Sequence, residues 1–85
     1  MQGRQLYSRY RRRIEILADS TKPSDVWLAE LQDILREFQG EIAAQGPKTG
    51  PLLCEELCDQ LEREAWRSVD PHRRDVLTCA IKHLE

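Results

Sequence analysis

The stretch Trp27-Leu28-Ala29-Glu30-Leu31-Gln32-Asp33-Ile34-Leu35-Arg36-Glu37-Phe38-Gln39-Gly40-Glu41-Ile42 decides the fold class. Trp27, Leu28, Leu31, Ile34, Leu35, Phe38 and Ile42 recur at the 3.6-residue period of one helical face, with Glu30, Asp33, Arg36, Glu37 and Glu41 opposite them. No residue run alternates with period two, so the stretch reads as an amphipathic helix that must bury one side. Gly40 falls on the polar face, where it costs roughly 1 kcal/mol against alanine and obstructs nothing.

Upstream, Ser20-Thr21-Lys22-Pro23-Ser24-Asp25 interrupts the pattern, with Pro23 suited to a first helical turn and Ser24 to an N-cap. Before it, Leu6, Tyr7, Tyr10, Ile14, Leu17 and Ala18 form another stripe. Downstream, Gly46-Pro47-Lys48-Thr49-Gly50-Pro51 is dense turn chemistry. A third stripe follows in Leu53, Cys54, Leu57, Cys58, Leu61, Ala65 and Val69, and Asp70-Pro71 opens a last helix that turns Val76, Leu77, Ala80, Ile81 and Leu84 inward. The expectation is an all-α, small four-helix domain with helices over about 3–19, 24–45, 51–68 and 71–84. The short third connection makes the last two helices an antiparallel hairpin. The second and third helices are expected to supply most of the core.

The chain has 85 residues, enough for one domain spanning 1–85. A domain this small buries roughly 60% of its unfolded surface, so its stability margin is thin and association would help it. The net charge of −2 conceals an asymmetry: residues 1–22 carry +4, residues 23–70 carry −7 and residues 71–85 carry +1. No apolar run approaches the ~20 residues that a bilayer span needs, and none follows the first arginines as a secretory signal would require. Three cysteines, an odd number, do not suit a secreted disulfide framework, and the expected compartment is the cytoplasm. The Arg-rich, acid-free first fourteen residues also have the composition of a mitochondrial transit peptide, which makes the mitochondrion the alternative.

Cys54-x₃-Cys58 on the third helix faces Cys79-x₃-His83 on the fourth, and two such i,i+4 pairs on adjacent helices can supply a tetrahedral zinc site. Structural zinc sites favour knuckles and loops, and both Cys54 and Cys58 lie in the apolar stripe, where cysteine serves as a small hydrophobe. Core packing is therefore the reading adopted, with no cofactor; zinc on Cys54, Cys58, Cys79 and His83, or a Cys58–Cys79 disulfide, are the alternatives. Cys54-x₃-Cys58 resembles one half of the twin C-x₃-C pattern of small helical-hairpin proteins of the mitochondrial intermembrane space, but the second pair ends in His83.

Arg9-Tyr10-Arg11-Arg12-Arg13 is the basic segment. Arginines neutralise phosphates and tyrosines stack on unpaired bases, so a nucleic-acid-binding domain is the alternative function. On a helical wheel the tyrosines face the core and the arginines spread over three sectors, which favours a solvated face attracted to the acidic middle of this chain or of a second copy. Arg9-Tyr10-Arg11 with Ile14 is similar to the Leu-Tyr-Arg signature of the LYR family of mitochondrial assembly factors, with Arg9 in place of the leucine and a match of under ten residues.

Gly46-Pro47-Lys48-Thr49 lacks the upstream glycine and strand of a phosphate-binding loop. Arg73 and Arg74 would open the recognition helix of a helix-turn-helix, but the acids of the preceding helix would repel DNA. Acid pairs such as Glu55 and Asp59 lie on a solvated helical face, and His72, expected as a surface residue of a first turn, has no nucleophile at a telling spacing, so no enzyme activity is expected.

The remaining signal is apolar residues off their own stripe. Ile16 falls opposite the first helix's buried face, Trp66 stands among Glu55, Asp59 and Glu62, and Ile81 and Leu84 widen the last helix's apolar arc. Tryptophan is enriched at interface hot spots. The expected function is a non-catalytic protein–protein interaction module, an adaptor, regulator or assembly factor that binds another protein or a second copy of itself. Trp66, Ile81, Leu84 and Ile16 are its expected contacts, and Arg9, Arg12 and Arg13 its steering charges.

Overall fold

The structure, a computed structural model, describes residues 2–84, with side chains from Leu6 onward. Four helices follow in order: α1 (Gln2–Asp19), α2 (Ser24–Ala44), α3 (Thr49–Arg67) and α4 (Pro71–Leu84). There is no strand among the described residues. The all-α reading and its four elements hold, with boundaries shifted by one or two residues.

The shifts have physical causes. Pro23, rather than Ser24, is the N-cap of α2: its extended backbone (ψ 160°) turns its carbonyl to accept from the N–H groups of Val26 and Trp27, both at 3.0 Å. A proline serves there because an N-cap uses its carbonyl and not its own N–H. Helix α2 ends where Gly46 takes φ +97°, a conformation a residue with a Cβ rarely adopts. Helix α3 starts at Thr49, two residues early, and so takes up Gly50, which is buried against the Ile42 carbonyl; a Cβ on Gly50 would lie 2.7 Å from that oxygen. At the start of α4, the N–H of Arg73 donates to Asp70 Oδ2 at 3.3 Å, the expected cap.

Every helix touches the other three, and α3 with α4 shares the most extensive contact. Their ends fix an antiparallel hairpin: Cys54 at the start of α3 reaches Leu84 at the end of α4, and Ser68 after α3 meets Arg73 at the start of α4. A radius of gyration of 12.4 Å agrees with the about 12 Å expected of a compact chain this long. The core departs from expectation in its donors. Leu6, Tyr10, Ile14, Leu17 and Ala18 of α1 are buried as fully as Trp27, Leu31, Ile34, Leu35 and Phe38 of α2, whereas α3 adds only Leu53, Leu57 and Leu61 among large side chains. Helix α1 contributes as much as α2, and the two meet in the core where Tyr10 packs edge-to-face on Phe38 at 5.2 Å. Val69, expected on the inner face of the third helix, lies beyond its end and is 93% exposed.

An arginine not anticipated in this role fastens the hairpin to α1. Arg73 Nε donates to Ser68 Oγ at 3.0 Å, one Nη to Glu64 Oε2 at 3.3 Å and the other to the Asp19 carboxylate at the end of α1. Burial works against the charged guanidinium, but these acids, with Glu15, offset it and hold Arg73 above its ordinary pKa. No described helix is long and apolar enough to cross a membrane.

Candidate interaction surface

Packing α3 against α4 leaves a groove on the side of the hairpin facing solvent. Its wall on α3 carries Glu62, Ala65 and Trp66, its wall on α4 carries Arg74, Thr78, Ile81 and Lys82, and it encloses about 460 Å³. Trp66, in the last turn of α3, is 84% exposed although the opposite face of that helix is buried. The stripe explains this: Leu53, Leu57 and Leu61 take the inward positions, and Trp66, five residues beyond Leu61, is rotated away from them. Glu62 stands one turn before Trp66 on the same side, opposite the two cations of α4.

The expected contact residues divide between two faces. Trp66 and Ile81 line the α3/α4 groove together. Leu84 is half-buried against the core, and its carbonyl accepts from Cys54 Sγ at 3.5 Å. Ile16 is 64% exposed beside Leu17 and Ile34 in a second, shallower depression of about 360 Å³ between α1 and α2. Of the groove's charged members, Glu62 reads from sequence only as a neighbour of Trp66 and Arg74 only as the start of a recognition helix, and neither they nor Lys82 are expected contacts. Their signal was the i−4 spacing of Glu62 from Trp66, which becomes informative only once α4 is known to lie alongside.

The arginines of α1 also divide. Arg9 and Arg12 are exposed. Arg13 is engaged within the chain: it donates to Glu37 Oε2 at 2.8 Å and lies over the Tyr10 ring at 5.3 Å. Arg11 donates to Gln60 of α3 at 2.8 Å, and Lys22 pairs with Glu30 of α2 at 2.7 Å. The basic start of the chain thus meets part of the acidic middle inside one molecule. Burial and the neighbouring Glu41 carboxylate push the Tyr10 phenol up to about 12.

The cysteines do not converge as a ligand set. Among the described residues no three His, Cys, Asp or Glu side chains gather as a metal site. Cys54, Cys58 and Cys79 are half-buried beside the core, and His83 is exposed. Cys79 is a thiol rather than half of a disulfide, and burial raises its pKa against the opposing charge of Lys82. His72, expected at the surface, is half-buried and meets the Trp27 ring edge-to-face at 6.0 Å.

No family model matches the chain, and no curated protein or solved structure matches it either.

Proposed function

We propose that the chain is a non-catalytic protein–protein interaction module that works in the cytoplasm and binds through the α3/α4 groove centred on Trp66. One observation carries the reading: a tryptophan 84% exposed at the edge of a groove, where it contributes nothing to the core. Large aromatic side chains in this position dominate binding energies when a partner desolvates them. Ile81 supplies an apolar floor, and Glu62, Arg74 and Lys82 supply a charged rim that orients a partner. Thiols at Cys54 and Cys79 fit a reducing compartment.

A photo-crosslinking amino acid in place of Trp66, and another in place of the exposed Gln39 on α2, tests the reading in cells that express the chain. A discrete protein adduct is expected from position 66 and not from 39. It should be lost when Arg74 and Lys82 are both changed to Glu; because Arg74 also donates to the Ser68 carbonyl at 2.8 Å, unfolding free energy is expected to fall by about 1 kcal/mol in that variant, with circular dichroism to check that the helices persist. Equal labelling from both positions would overturn the reading. Nucleic acid copurifying with the chain at low salt and released at high salt would favour the alternative, which now rests on Arg9 and Arg12 because Arg11 and Arg13 are engaged within the chain.

A further inference from the structure

We infer that the occupant of the α3/α4 groove is the same groove of a second copy, in a two-fold dimer whose axis runs along the groove. The inference rests on the groove being a protein-binding surface and adds the identity of what binds. An isologous interface requires one patch to be complementary to itself, so it must carry both halves of every contact. This patch does. It has a projecting wedge, Trp66, beside a groove able to receive one, and it has an acidic wall, with Glu62 on α3, facing a basic wall, with Arg74 and Lys82 on α4.

The charges also select the symmetry axis. With the two-fold along the groove, α3 of each copy lies over α4 of the other, so each Glu62 faces the partner copy's two cations and each indole enters the opposite groove. With the two-fold across the helices, α3 would lie over α3, and the two Glu62 carboxylates would oppose each other with the cations likewise paired against cations. Like charges brought together at a rim suppress that arrangement. The face is small. Helix α4, with 14 residues, is about 21 Å long and the helix pair is about 20 Å wide. That is short of the roughly 800 Å² per partner of a standard interface, so the dimer is weak and forms in the micromolar range or above.

Sedimentation velocity across low micromolar to millimolar chain tests this. The wild type is expected to pass from one chain to two as concentration rises. Glu62→Lys makes the groove wholly basic, and Arg74→Glu with Lys82→Glu makes it wholly acidic. Each variant alone is expected to associate at least about tenfold more weakly, and an equimolar mixture of the two to recover a one-to-one dimer of wild-type strength. Circular dichroism on each variant confirms that the helices persist. A wild type that stays monomeric at millimolar concentration, or a mixture no stronger than its components, overturns the dimer. If that happens while position 66 still crosslinks to a different protein, the interaction module stands and only its occupant is wrong. If position 66 captures nothing as well, both fail.

Discussion

Two glycines that look alike in the sequence have opposite roles. Gly40 lies on the solvent face of α2 with nothing within 4 Å of where a Cβ would be, so Gly40→Ala removes backbone freedom from the unfolded chain at no steric cost. It is expected to stabilise by about 1 kcal/mol in urea denaturation. Gly50 lies under the Ile42 carbonyl, which a Cβ would approach to 2.7 Å, and backbone cannot yield as a flexible side chain does. Gly50→Ala is expected to destabilise by about 1–3 kcal/mol in the same measurement, the range for overpacking. The first role was legible from the helical wheel. The second was not, because Gly50 stands in a run of Gly, Pro and Thr whose composition announces a turn and says nothing of which carbonyl comes near.

Stripes made the helices legible, and their ends and neighbours much less so. The α2 pattern was unambiguous because seven large apolar residues share one face, and the structure buries five of them. Val69 continued the α3 pattern in register but lies past its end: Ser68 stops the helix by turning its hydroxyl onto the Glu64 carbonyl at 2.6 Å, and periodicity does not register such a stop. Arg73 was the largest omission. Read from sequence it was one of two bases at a helix start, whereas folded it joins the end of α1, the end of α3 and the start of α4. Arg73→Ala is expected to lower unfolding free energy by about 1–2 kcal/mol, since two of its acceptors are charged but Asp19 is largely exposed. Arg73→Lys should recover little, because an ammonium cannot serve three acceptors in the guanidinium's fixed directions. Equilibrium denaturation of both variants checks this, and a lysine variant as stable as wild type would show that charge alone suffices.

Across the molecule, the asymmetry of charge was legible and its destination was not. Some of it closes internally through Arg13–Glu37 and Lys22–Glu30, leaving Arg9 and Arg12 exposed and mixed charges around the Trp66 groove. Trp66 could be picked out because it misses its own stripe and Ile81 because it widens the arc of its helix; their meeting in one groove, apart from Ile16, depends on how α3 and α4 pack. Alkaline pH reports on the whole fold. Tyr10 and Cys79 hold their protons more tightly folded than unfolded, so above the ordinary thiol and phenol ranges the unfolded chain loses protons first and stability falls as pH rises. The Tyr10 part is present below pH 10 and is lost between 10 and about 12, up to about 2–3 kcal/mol. Urea titrations at stepped pH should show this slope in the wild type and a flatter one in Tyr10→Phe. The chain's two tryptophans, finally, occupy opposite surroundings: Trp27 is in the core against His72, and Trp66 stands in water. One indole therefore emits from an apolar, shielded site and the other from a site open to a soluble quencher. The fluorescence of the unlabelled protein contains two separable signals, one that moves when the chain unfolds and one that moves when the groove is covered.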